Sequence, residues 1–152
     1  MEELPSSQLG TKEYWDEFYS LELNNFGDNK DEGEVWFGHN RMMKIVKWIT
    51  NNQCIDKTHS VIDIGCGNGV LLLELADEDY TDLCGVDYSS KAIELAQNIA
   101  QEHDKNIRYA QVDFLDFGSV DSALKGKCFD VCHEKGTYDA ISLRPDDAKQ
   151  AR

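Results

Sequence analysis

Residues 61–69 read Val61-Ile62-Asp63-Ile64-Gly65-Cys66-Gly67-Asn68-Gly69. Three β-branched residues around a single acid predict a short strand. Three glycines at alternate positions predict a sharp turn that a ligand can approach without a Cβ in its way. The run Val70-Leu71-Leu72-Leu73-Glu74-Leu75-Ala76 then predicts a buried helix, whose N-terminal N–H groups suit a carboxylate or phosphate. Strand, turn and helix together make a cradle for a nucleotide-type cofactor.

The identity of that cofactor turns on two positions. A dinucleotide fingerprint, G-x-G-x-x-G, needs a third glycine where this chain has Val70; the glycine falls one residue early, at Gly69. Asp63 lies inside the strand, two residues before Gly65. A carboxylate there repels a pyrophosphate and suits a cationic amino-acid group. The pattern resembles motif I of the class I S-adenosylmethionine-dependent methyltransferases, which implies S-adenosyl-L-methionine as cofactor, with Asp63, Gly65, Cys66, Gly67 and Gly69 in its cradle.

The chain has 152 residues, enough for one domain with a core of its own. Its 29 acids against 15 Lys and Arg give a net charge of −14. Nucleic acid needs a basic footprint, so the charge argues against it and suits a basic protein surface that carries a lysine. Five cysteines and an acidic, polar start predict reduced thiols in an intracellular protein, cytoplasmic and also nuclear, with no membrane span. A monomer is expected. Cys128, Cys132 and His133 lie close together, but no second pair stands at zinc spacing, so no metal is expected.

Along the chain, residues 1–10 read as a disordered acidic lead-in. Residues 11–19 predict a short helix capped by Thr11, with an aromatic stripe of Tyr14, Trp15, Phe18 and Tyr19. Residues 24–34, rich in Asn, Asp and Gly, read as a loop. From Asn40 an amphipathic pattern of Met42, Ile45, Val46 and Ile49 predicts a helix to about residue 52, so the N-terminal helices span 11–52. A cofactor-binding core follows over 60–143, with strands at 60–64, 83–87, 107–112 and 129–133. Ser89 and Ser90 can cap a helix with an apolar stripe of Ala92, Leu95, Ala96, Ile99 and Ala100. Strands alternating with helices predict an α/β protein with a mostly parallel sheet.

In such a sheet the ligand sits beyond the carboxyl ends of the strands. Those ends carry the glycine turn, Asp87-Tyr88, Asp113-Phe114 and Glu134-Lys135-Gly136. Asp87 follows Asp63 by 24 residues, close to the spacing of an acid that binds ribose hydroxyls. Tyr88 and Phe114 offer flat faces to an adenine, and Asp113 can accept from its amino group. Asp63 suits the ammonium of a methionine.

Four segments then occur in order: 10–16 (GTKEYWD), 34–38 (EVWFG), the glycine motif, and 129–140 (FDVCHEKGTYDA). Together they resemble the protein-lysine methyltransferase family that modifies translation elongation factor 1-alpha, over about residues 9–147. Glu134 is a departure, since relatives typically carry Asp-Lys-Gly-Thr there. The resemblance implies a Rossmann-like class I sheet and a methyltransferase domain over 11–152. It also implies methyl transfer to a lysine ε-amine of the elongation factor. A dry aromatic wall lowers the pKa of that amine and favours the cationic sulfonium; Trp15, Trp36 and Tyr138 are its candidates. Glu134 is the candidate to orient the amine or accept its proton through water. Only four strands are read, so later strands of the class I sheet are expected to be missing, with residues 145–152 starting a further helix. The alternative is a truncated, inactive module that binds S-adenosylmethionine or a partner.

Overall fold

The structure is a computed structural model in which residues 5–145 are described. Four strands, β1 (Val61–Ile64), β2 (Leu83–Asp87), β3 (Arg108–Gln111) and β4 (Val131–Glu134), form one sheet in the order β3-β2-β1-β4. Every pairing is parallel, with Val61 opposite both Leu83 and Val131. The order reverses at β1, so the glycine turn leaves the sheet at its topological switch point, where open α/β sheets bind ligands. The strands start within two residues of the expected positions.

Side chains alternate across β1. Val61 joins a cluster with α2 (His39–Asn51) and α3 (Val70–Asp77), while Ile62 faces the opposite side. The α3 helix is buried on nearly all faces through Val70, Leu71, Leu72, Leu73 and Leu75, as its unbroken apolar run requires. Ser89 caps α4 (Ser90–Glu102) by accepting from Ala92 N–H, and the stripe read from the sequence is entirely buried. Truncating Leu95 there should cost about 2–5 kcal/mol.

Three expectations need correction. The first helix, α1 (Lys12–Asn29), runs ten residues beyond Tyr19, through most of the expected loop. Asn24, Asn25 and Gly27 are poor helix formers, but Phe26 is buried beside Leu95 and Ile99 of α4, and that packing overrides local propensity. Two short helices, α5 (Phe117–Leu124) and α6 (Thr137–Ser142), have no counterpart in the sequence reading. Gln8–Gly10, inside the expected disordered lead-in, form a 3-10 turn, and the adjoining Ser7 N–H donates to Leu143 O at 3.0 Å. The helix expected from residue 145 lies outside the described residues.

Candidate functional site

The carboxyl ends of all four strands open into one cleft of about 680 Å³. Trp15, Trp36, Asp63, Gly65, Cys66, Gly67, Asp87, Tyr88, Asp113 and Phe114 all line it, so ten of the cofactor candidates are brought together. Gly69 stands one step back as the N-cap of α3, its backbone against the Tyr109 ring and Ala96. Glu134 and Tyr138 are not on the cleft wall: the Glu134 Oε2 accepts the Tyr138 N–H at 3.0 Å, and the Tyr138 ring is 60% exposed at the rim.

The turn itself is held by backbone geometry. Gly67 has φ +55, and a Cβ there would run into the Tyr19 hydroxyl, so only glycine fits. Its N–H donates to Asp87 Oδ2 at 3.1 Å, while Asp87 Oδ1 accepts from Ser89 N–H at 2.9 Å. Asn68 donates from Nδ2 to Glu32 O at 2.9 Å, fastening the segment before α2 onto the turn. Thr137 Oγ1 donates to Ile64 O at 2.7 Å, fastening α6 to the end of β1.

Charge in this cleft is poorly solvated. Burial pushes the Asp63 carboxyl up to about 7; Lys135 opposes the shift, and Asp87 and Glu134 add to it. Burial likewise raises Asp87 to about 6, against the pull of the N–H groups of Ser89 and Gly67. An ammonium bound beside Asp63 would restore that carboxyl to the ionised form. His133 Nε2 lies 3.9 Å from Asp63 Oδ1 and has no hydrogen-bond partner among the described residues. Burial holds that imidazole below its usual pKa, hence neutral. Lys135 donates from Nζ to Trp36 O at 2.9 Å, and burial pulls its pKa down despite Asp63 and Glu134.

One wall is aromatic. The Trp15 and Trp36 rings meet edge to face at 4.8 Å, and Trp15 Nε1 donates to Leu9 O at 2.8 Å. Tyr88 donates its hydroxyl to Thr11 O at 3.3 Å, so residues 9–11 cross the cleft between α6 and β2. The Trp36 Nε1–H is buried with no acceptor among the described residues. Burying an unpaired donor costs free energy, so this N–H points to a missing acceptor. Sequence reasoning assigned no site role to Asn68, Thr137 or Lys135, although Asn68 lies inside the glycine motif and Lys135 and Thr137 inside the motif at the end of β4.

A parallel sheet with a glycine turn at its switch point and acids on the adjoining strand ends defines a Rossmann-like class I methyltransferase. The profile described as a methyltransferase domain matches residues 55–149, and the chain belongs to that family. It is 45% identical to EEF1A lysine methyltransferase 2 of Danio rerio, over 99% of this chain and 63% of that protein. It is 40% identical to the protein-lysine N-methyltransferase efm4 of Schizosaccharomyces pombe, over 94% of this chain and 65% of that protein. The chain therefore spans less than two thirds of these relatives' length. Among solved structures, magnesium protoporphyrin IX methyltransferase from Synechocystis PCC 6803 superposes with a TM-score of 0.56 at 18% identity, covering 82% of this chain and 64% of that one. That likeness concerns the fold alone. S-adenosylmethionine is the cofactor of the class, and the donors and acceptors of the cleft fit it.

Proposed function

We propose that this chain carries the cofactor-binding part of a protein-lysine N-methyltransferase acting on translation elongation factor 1-alpha. The observation that carries the reading is 40–45% identity, across nearly the whole chain, to two proteins named for lysine methylation. When bound, S-adenosylmethionine supplies a methyl group on a sulfonium, open to in-line displacement by an amine.

The chain's own groups divide the work of holding and drying the site. Each Asp87 oxygen spends one lone pair on the backbone and keeps another for a ribose hydroxyl. Asp63 accepts from the ammonium of the amino-acid end. Lys135 Nζ and the unpaired Trp36 Nε1–H would donate to its carboxylate, which would supply the acceptor that Trp36 lacks. Tyr88 and Phe114 flank the base, with Asp113 as acceptor for its amino group.

A lysine amine attacks only when neutral, yet its ordinary pKa is about 10.4. The Trp15–Trp36 wall excludes water and lowers that value, and in doing so holds the amine in line. Glu134, fixed at the end of β4 by the Tyr138 N–H, accepts the departing proton through water. The reading extends to a monomer in the cytoplasm and nucleus, with neither nucleic acid nor membrane as partner; five free cysteines support a reducing compartment, and the net charge of −14 argues against nucleic acid.

Calorimetric titration with S-adenosylhomocysteine, beside transfer of labelled methyl to elongation factor 1-alpha, tests this. Binding with transfer is expected. A folded chain that binds no S-adenosylhomocysteine would overturn the cofactor site, and binding without transfer would overturn the assigned activity.

A further inference from the structure

Phe37 stands out at the mouth of the cleft. It is a bulky side chain held in the left-handed region at φ +64, where such residues are outliers. Its ring lies against Gly136, on the wall of the cleft, and yet is 47% exposed. The turn is closed by Gly38 N–H donating to Val35 O at 2.8 Å. It is anchored from just beyond β4 by Lys135, whose Nζ bonds Trp36 O and lies 5.9 Å from the centre of the Phe37 ring. Two residues beyond Gly136, the Tyr138 ring is exposed as well. A strained, doubly anchored aromatic presented to solvent is poor economy for folding alone.

The exposed charge near these rings in the chain is mostly acidic: Glu34, Glu134 and Asp139 are exposed, against Arg41, while the Lys135 ammonium near Phe37 is half-buried and tied to the Trp36 carbonyl. Two aromatic faces with an acidic rim attract an ammonium on an aliphatic stem by cation–π and Coulomb terms.

We infer that Phe37 and Tyr138 form a docking port for the lysine-bearing, basic segment of the protein substrate, with Glu34, Glu134 and Asp139 as its steering rim. The port guides the lysine stem past Gly136 into the dry cleft. This inference rests on the proposed lysine methylation and adds the surface that selects the substrate.

The test is the affinity of the chain for elongation factor 1-alpha, with S-adenosylhomocysteine present and absent, in the wild type and four variants. Phe37→Asn keeps a residue that tolerates the left-handed turn but removes the ring; Phe37→Trp keeps an aromatic face. Tyr138→Ala and Asp139→Lys probe the second ring and the rim. Phe37→Asn and Tyr138→Ala should each weaken the factor about tenfold, with S-adenosylhomocysteine affinity within about twofold of wild type. Phe37→Trp should bind the factor like wild type. Asp139→Lys should slow association, most at low salt. Wild-type factor affinity in both Phe37→Asn and Tyr138→Ala overturns the port. So does a Phe37→Asn chain that loses S-adenosylhomocysteine in parallel, since Phe37 then belongs to the cofactor cradle. A wild type that binds the factor but no S-adenosylhomocysteine overturns the proposed function and leaves the port standing.

Discussion

Gly67 donates its backbone N–H to Asp87 Oδ2 at 3.1 Å, so the acid assigned to the ribose also holds the turn that cradles it. The second oxygen does the same for Ser89 at the start of α4. Asp87→Asn leaves a single acceptor oxygen, and one of the two N–H groups then faces an amide. An unsatisfied buried donor costs about 1–3 kcal/mol. For a chain of this size that lowers the melting temperature by about 2–12 °C. S-adenosylhomocysteine affinity should fall tenfold or more in the same variant, measured by calorimetry. A variant with wild-type melting and wild-type affinity would strip Asp87 of both roles.

Asp63 and Asp87 make stability depend on pH in an unusual direction. Both folded carboxyls lie above their ordinary value of 3.8, at about 7 and about 6. Between about pH 4 and 7 the unfolded chain has released protons that the folded chain keeps. Stability from these groups is therefore full below pH 4 and is lost as pH rises towards 7. The Asp63 shift alone corresponds to an upper bound of about 4 kcal/mol. Asp56, Asp82, Glu102 and Asp130 have lowered carboxyl pKa values, so their contributions are lost only as pH falls below about 4. Urea unfolding from pH 4.5 to 8 should show stability declining in the wild type and a shallower decline in Asp63→Asn. Parallel curves for the two chains would mean that Asp63 is ionised in the free protein.

The same carboxyl predicts proton release on binding. An ammonium beside Asp63 favours the carboxylate, so a ligand that brings one expels the proton held there. At pH 6, the heat of S-adenosylhomocysteine binding should change with the ionisation enthalpy of the buffer, with somewhat under one proton released. Asp63→Asn should bind more weakly and abolish the release. Equal proton release in both chains would assign it to another group, with Asp87 the next to examine.

What was legible in the sequence follows the range of the forces involved. β1, its glycine turn and α3 are dictated by neighbouring residues, and the α4 stripe by a helical period. The second half of α1 was hidden because its stability comes from Phe26 on α4, some 70 residues away in the chain. The α5 helix was hidden because it buries only Val120, Ala123 and Leu124 in part and leaves Phe117 91% exposed, which gives a weak period. The acids of the site could be found because strand ends can be found. The Lys135 tether could not, since it joins residues 99 apart, and neither could the strained presentation of Phe37.

Lys135 offers the sharpest separation of ligand contact from scaffolding. Its ammonium bonds the Trp36 carbonyl and lies near Asp63, on the wall that also buries the unpaired Trp36 N–H. If these two donors face the carboxylate of the amino-acid end, removing one should hurt only ligands that have that end. Lys135→Met keeps most of the aliphatic stem and removes the charge. It should weaken S-adenosylhomocysteine about tenfold or more, as loss of a charge-assisted bond implies. Methylthioadenosine, which has the nucleoside and sulfur but no amino acid, should bind within about twofold of wild type. The indole fluorescence should respond to S-adenosylhomocysteine and not to methylthioadenosine, because only the former reaches Trp36. Equal weakening of both ligands would mean that Lys135 acts through the Trp36–Phe37 turn, and the carboxylate would then need another partner.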